Sequence, residues 1–381
     1  MKFTINSTSF SNVINAALKV IPKGSLMPIL DNVLLEAESE SVCVTASDSQ
    51  STLRVTVKGT GGLRVDRPGR ACVPAKIFAE ILRTVPAGPV DISLNKDGTQ
   101  LYVSWNEGSQ SMLPSFDVDE YPVHAEPEAC TNEMTINAGA LLTALGHAIP
   151  VTKEDPIRPA MGCVLLDGKG SVAATDSHLL LCEEVPFNVS AQSDNDARFL
   201  LEKSDAEVLK SLLGATDRDE TVTLRFDAAQ GVFTFDGMTL LVRTVAQKYP
   251  DYRAVIPSGA PTMVTVGRNV LVAALRRTAL SADGSGVVKL DVPAGGAALR
   301  MNAEDAAMNI KGEETVPCSV EGEAASVGFK AGRLVEILST LSCDRMNVLI
   351  SGPRKAALLS PSEDEFENEP VKLVAMPVKV N

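Results

Sequence analysis

Ala174-Thr175-Asp176-Ser177-His178-Leu179-Leu180-Leu181 is the stretch on which the reading of this chain turns. Taken alone, Asp, Ser and His in succession suggest a hydrolase triad. Such triads are assembled in space by a fold, however, and three adjacent polar residues after an apolar run read first as a turn. The decisive feature is that the stretch has siblings. Val42-Cys43-Val44-Thr45-Ala46-Ser47-Asp48 and Leu299-Arg300-Met301-Asn302-Ala303-Glu304-Asp305 end the same way, and Asp48, Asp176 and Asp305 lie 128 and 129 residues apart. Neither sibling has a Ser-His pair after its Asp, so the recurring object is a strand-end turn.

Each of these strands is the second member of a pair. The first members are Asn32-Val33-Leu34-Leu35, Gly162-Cys163-Val164-Leu165-Leu166 and Val287-Val288-Lys289-Leu290, each joined to its partner by a short polar or glycine-containing stretch that suits a hairpin. A second signal is a strand running into an amphipathic helix. Phe3-Thr4-Ile5 precedes Phe10, Val13, Ile14 and Ala17; Met134-Thr135-Ile136 precedes Leu141, Ala144, Leu145 and Ala148; Val264-Thr265-Val266 precedes Leu271, Ala274, Leu275 and Thr278. That spacing is one helix face, and Ile5, Ile136 and Val266 are 131 and 130 residues apart. A third signal is another strand and helix, Cys72 to Leu82, returning as Phe199 to Leu209 and as Gly328 to Leu338.

Three landmarks sharing one period predict an α+β protein of three tandem domains, at 1–122, 131–256 and 262–381, each made of two similar halves with one helix apiece. The connectors Pro114 to Glu133 and Gln247 to Met263, rich in Pro, Asp and Tyr, read as extended linkers.

With 381 residues, 45% of them hydrophobic, there is material for a core in each domain. No apolar run approaches the ~18 residues of a membrane helix, and the opening Met1-Lys2-Phe3-Thr4-Ile5 alternates like a strand, so a cytoplasmic protein is expected. Seven cysteines without a CxxC, mostly inside apolar runs, read as reduced packing residues. His124, His147 and His178 lack metal-ligand spacing and read as surface or packing residues, so neither metal nor cofactor is expected.

A net charge of −13 argues against simple wrapping around nucleic acid, but the charge is unevenly placed. The predicted helices, 10–23, 75–84, 138–149, 203–213, 267–280 and 330–341, hold eleven Lys or Arg against four Asp or Glu, whereas the whole chain holds 35 against 48. Helices facing one way would pool positive charge on one surface. With one Trp and four Tyr in the chain, base stacking is a poor hypothesis, and backbone contact to a duplex without base reading fits better.

The chain resembles the bacterial DNA polymerase III beta subunits, the sliding clamps of replication. The matches in register are Pro28-Ile29-Leu30-Asp31-Asn32-Val33-Leu34-Leu35, Val73-Pro74-Ala75-Lys76, Thr175-Asp176-Ser177-His178, Tyr249-Pro250-Asp251-Tyr252-Arg253 and Val374-Ala375-Met376-Pro377-Val378-Lys379. The resemblance implies a processivity factor without chemistry: a head-to-tail homodimer of three-domain subunits closing a ring, helices lining the hole and antiparallel sheets outside. It implies inner-wall contacts to encircled double-stranded DNA from Lys23, Lys76, Arg83, Lys203, Lys210 and Arg333, and closure of the ring between Ala279 and Leu280 of one subunit and the region of Met112 of the other.

It further implies an apolar pocket for short linear motifs of DNA polymerase, clamp loader and repair proteins. The pocket would be built from Arg158, Met161, Thr175, Ser177, His178, Leu179, Leu180, Pro250, Ala254, Val255, Val374, Met376, Pro377, Val378 and Lys379. The chain departs from the family pattern there. The usual Thr-Asp-Gly-His-Arg-Leu is Thr175-Asp176-Ser177-His178-Leu179-Leu180, Ala254 stands where an Arg is common, and the Met-Pro-Met/Leu-Arg ending is Met376-Pro377-Val378-Lys379. Altered affinity for acidic peptides is therefore expected, and a divergent paralogue with specialised partners or inhibitor resistance is the alternative. An enzyme centred on Asp176, Ser177 and His178 is disfavoured, since nothing supplies an oxyanion hole or a phosphate loop.

Overall fold

Strict alternation in Lys2–Asn6 makes the first strand, with Phe3 and Ile5 fully buried. At its end the Asn6 carboxamide accepts hydrogen bonds from the backbone N–H groups of Thr8 (3.0 Å) and Ser9 (3.3 Å), which caps helix α1, Ser7–Ala17. The helix therefore starts earlier than the apolar spacing alone suggests and stops at Ala17, leaving Lys19 beyond it. In a computed structural model the protein is described at residues 1–22, 24, 27–59, 62–127, 129–193 and 196–379. Lys23, expected on the inner wall, lies outside the described residues.

Five further helices follow: α2, Ala75–Thr84; α3, Ala138–Ala148; α4, Lys203–Leu213; α5, Arg268–Ala279; and α6, Ala331–Leu338. Their apolar faces are the ones the spacing marks. Leu141, Ala144, Leu145 and Ala148 are buried, as are Leu271, Ala274, Leu275 and Thr278. Under α1 and α2, Phe10 meets Phe3 edge-on at 5.6 Å and Phe78 at 5.7 Å.

The strands pair antiparallel throughout the described residues, so the α+β class holds. The chain sorts into two compact units, Met1–Gly139 with Asn188–Asn195 and Glu207–Thr244, and Ala140–Phe187 with Asp196–Ala206 and Val245–Asn381. The first unit holds a five-stranded and a nine-stranded sheet. In the latter, Thr52–Lys58 from the first third of the chain pairs with Met238–Arg243 from the second, Leu53 opposite Leu240. The second unit holds a twelve-stranded sheet in which Leu179–Glu184 pairs with Val371–Ala375, Leu180 opposite Val374. Strands thus continue across repeat boundaries. An unpaired apolar edge is costly, and each repeat ends in a strand that satisfies the next one's edge.

The predicted hairpins form in register, with Leu34 opposite Thr45, Leu165 opposite Ala173 and Leu290 opposite Met301. The recurring Asp does the same work in each. Asp48 Oδ1 accepts from the N–H of Gln50 and Ser51, Asp176 Oδ1 from His178 and Leu179, and Asp305 Oδ1 from Ala307 and Met308. The first two copies agree further. Ser47 and Thr175 hydroxyls donate to the carbonyls of Ser51 and Leu179, and Ser49 and Ser177 take φ of 78° and 74°. The third copy places its left-handed residue at Asn309 instead, φ 53°.

One expectation is corrected here. His147 is neither a surface nor a neutral packing residue: it is buried, its Nδ1 2.9 Å from Glu183 and its Nε2 3.6 Å from Glu369. Glu369 in turn accepts from Ser342 N–H and Oγ–H and from Cys343 N–H, which anchors the segment after α6.

Candidate functional site

The turn at Asp176 forms one wall of an apolar cavity of about 290 Å³ in the second unit. Strand pairing brings its walls together. Because Leu179 lies opposite Ala375 and Leu180 opposite Val374, and Met376 N–H donates to His178 C=O at 2.8 Å, residues two hundred positions apart in sequence become neighbours. Leu180 and Val374 belong to a core cluster with Cys163, Ala173, Tyr249 and Tyr252, so the cavity has a packed apolar floor. Its rim is open: Met376 and Val255 are 44% and 55% exposed.

The third wall is the segment Tyr249-Pro250-Asp251-Tyr252-Arg253. It is not simply an extended linker, because Arg253–Val255 forms a helical turn and Tyr249 and Tyr252 are buried. A polar network holds it down. The Tyr252 hydroxyl donates to Asp167 Oδ2 at 2.7 Å and lies 2.7 Å from Ser171 Oγ, and Arg253 donates to both the Tyr252 oxygen and Ser171 Oγ at 3.0 Å. Asp167 is fully buried, with Arg198 and Arg253 at 3.5 and 3.6 Å to balance it. Burial pushes the Tyr252 phenol up to about 12, which keeps it a neutral donor.

Of the residues expected here, Arg158, Met161, Thr175, Ser177, His178, Leu179, Leu180, Pro250, Val255, Val374 and Met376 line the cavity. Ala254, Pro377, Val378 and Lys379 do not. The reason for the last three is that Val378 N–H bonds Gly328 C=O at 2.8 Å, drawing the chain away after Met376. Val378 lines an adjoining cleft instead. Asp251 and Tyr252 line the cavity and were not expected; their signal is the Tyr249-to-Arg253 motif itself, but only the fold shows which of its side chains turn inward. Arg158 is fixed by a two-nitrogen contact to Asp155 Oδ2 at 2.9 and 2.8 Å, which holds the Asp155 carboxyl below its usual range.

The cations expected to meet DNA divide sharply. Lys76 is exposed and has no ion-pair partner among the described residues, and the half-buried Lys203 and Lys210 also have none. Arg83 is paired with Glu80 within α2. Arg333 is engaged three times over, by Glu336, by Asp176 at 3.2 Å and by the Val151 carbonyl at 3.3 Å. Other basic helix residues are also committed: Lys19 donates to Ser211 C=O and Oγ, Arg268 to Cys343 C=O, and Arg277 to Glu314. A count of helix charges therefore overstates the free positive surface. Met112 and Leu280 are 56% and 83% exposed, and Ala279 is half-buried.

Asp176, Ser177 and His178 do not form a triad. The Asp176 carboxylate is occupied by two backbone amides and Arg333, and its contact to His178 is to the backbone N–H. Among the described residues no three His, Cys, Asp or Glu side chains are grouped to hold a metal ion, and no helix is long and apolar enough to cross a membrane.

Two family models match the chain: DNA polymerase III beta subunit, N-terminal domain, over residues 1–125, and DNA polymerase III beta subunit, C-terminal domain, over residues 253–379. The beta sliding clamp of Staphylococcus epidermidis is 24% identical over 375 residues, spanning 96% of this chain and 97% of its own. That of Staphylococcus aureus is 23% identical over the same share. Among solved structures, the DNA polymerase sliding clamp of Bacillus subtilis aligns with a TM-score of 0.89 at 21% identity, and the sliding clamp of Pseudomonas aeruginosa bound to griselimycin with 0.88 at 22%. Each alignment covers both chains in full, so the fold is shared from end to end.

Proposed function

This chain belongs to the DNA polymerase III beta subunit family, and from that premise we propose that it is a non-catalytic sliding clamp that keeps a DNA polymerase on its template. The observation that carries the reading is the conjunction of the family's full-length fold with an apolar, open-rimmed cavity beside the Asp176 turn. In this reading the chain forms three clamp domains, 1–122, 131–256 and 262–381, and two copies close head to tail, Ala279 and Leu280 of one meeting Met112 of the other. An exposed Leu280 and an exposed Met112 have reason to be covered. The ring encircles duplex DNA in the cytoplasm.

Contacts from Lys76, Lys203 and Lys210 to phosphates carry no sequence information, so the ring slides rather than parks. The cavity receives short linear motifs of polymerase, clamp loader and repair proteins. Burying one Leu and one Phe from such a peptide contributes about 1.5–3 kcal/mol each before ordering costs, which gives weak, exchangeable binding. Enzymes can then take turns on one platform.

The test is topological. Loaded by a clamp loader onto nicked circular DNA, the protein is retained, and linearising the circle releases it. Equal retention on circular and linear DNA would refute encirclement.

A further inference from the structure

Beside the apolar cavity lies a larger cleft of about 850 Å³, and the two share Arg158, Met161, His178, Leu179 and Met376 as lining. The cleft gathers charge from separate elements: Lys153 from the segment after α3, Lys203 from the start of α4, and Lys330 and Arg333 at and just inside the start of α6. Its acidic members are Glu154, Asp155 and Asp176. Two of those are already spent, Asp155 on Arg158 and Asp176 on Arg333. Lys153, Lys203 and Lys330 have no ion-pair partner among the described residues, and only Glu154 stands against them. A protein of net charge −13 thus concentrates unpaired lysines at one place, continuous with an apolar cavity.

We propose that this cleft receives the acidic flank of a partner peptide whose apolar residues occupy the smaller cavity, so that carboxylates beside the anchor set partner preference. The inference rests on the peptide reading of the cavity and extends it to partner chemistry. Charge complementarity favours an acidic segment. Phe329 and Leu334 also line the cleft, and a mixed apolar and cationic concavity of this volume suits a few side chains of an extended peptide better than the convex, uniformly charged surface of a duplex. The chain lacks the family's Arg at Leu179 and Ala254, and these lysines place positive charge on the opposite side of the same anchor site.

The experiment is fluorescence polarisation of the full chain with three labelled peptides sharing one Leu-Phe core: neutral serine flanks, an acidic N-terminal flank and an acidic C-terminal flank. One acidic peptide is expected to bind about five- to tenfold more tightly than the neutral one at low salt, as two or three screened pairs allow. The advantage disappears at about 0.5 M NaCl. In the double variant Lys153→Ser, Lys330→Ser it falls below about twofold, while the neutral peptide binds as before and reports an intact fold. Equal binding of all three peptides to the unmodified protein overturns the proposal, as does an advantage that survives in the double variant. If instead a short duplex loses affinity in the double variant and neither acidic peptide gains, the lysines serve DNA and the proposal falls. Should the neutral peptide fail to bind at all, the cavity reading itself has failed, which is a distinguishable result.

Discussion

Arg333, in α6, reaches Asp176 at 3.2 Å, and Asp176 in turn closes the turn that walls the apolar cavity. A residue first read as a DNA contact is thereby a brace for the partner site. Its guanidinium also bonds the Val151 carbonyl, so two loops hang on one side chain.

Arg333→Ala should therefore act on peptide binding. We expect the turn to loosen at a cost of about 1 kcal/mol, the size of a partly exposed ion pair with one backbone bond. Affinity for a Leu-Phe peptide falls severalfold, whereas the salt dependence of duplex binding is unchanged. Lys76→Ala should do the reverse, lowering the slope of log K against log salt by about one with no effect on peptide. Polarisation titrations of both variants across salt separate the two roles.

Ser177 holds φ at 74°, a conformation costly for any side chain but open to glycine. Its own backbone N–H bonds Thr175 Oγ1, a contact that needs no Ser177 side chain. Ser177→Gly is expected to stabilise the protein by up to about 1 kcal/mol, and Ser177→Val to destabilise it by more than that. Thermal melts of the three proteins give the order directly; a Val variant as stable as the parent would contradict it.

Met376 is 44% exposed at the cavity rim, so a charge there tests binding without disturbing the core. Met376→Asp should weaken a Leu-Phe peptide at least about tenfold, the loss expected when an apolar contact is replaced by a desolvated carboxylate, and leave the melting temperature within error.

Burial alone would lower the His147 pKa, but the hydrogen bond and charge of Glu183 at 2.9 Å, with the charge of Glu369 at 3.6 Å, outweigh it and raise the pKa above 6.5. A raised folded-state pKa means stabilisation fully present below 6.5 and lost as pH rises through the folded value. Glu369 is the opposite case. Burial raises its pKa, but bonds from Ser342 and Cys343 and the charge of His147 lower it overall, so its contribution is present above the ordinary value of 4.5 and fades in acid. The stability difference between the parent and His147→Gln should thus be largest near pH 5–6.5 and shrink toward pH 9. A difference independent of pH would show that the imidazole stays neutral.

Leu280 is 83% exposed, and Leu280→Asp is expected to yield a monomer under conditions where the parent sediments as a dimer. A parent that sediments only as a monomer at micromolar concentration would count against ring closure.

Several features were legible in the residues themselves. The threefold period, the helix faces of Leu141 to Ala148 and Leu271 to Thr278, the three hairpins and the Asp48, Asp176 and Asp305 turns are all governed by interactions within a few residues, and the spacing of apolar side chains records them. The family resemblance added most of the cavity's lining.

Tertiary structure alone decided which charges remain available and which walls meet. Lys19 is consumed by Ser211 and Arg268 by Cys343, partners 192 and 75 residues away that no local pattern announces. Tyr252 turns inward because Asp167 waits 85 residues upstream, and Val378 turns away because Gly328 takes its N–H. The Asp176 turn was written locally, in one side chain and two amides. That it faces Val374 and Met376, and is braced by Arg333, follows from pairing between distant strands, whose register is set by burial of whole faces rather than by any short stretch.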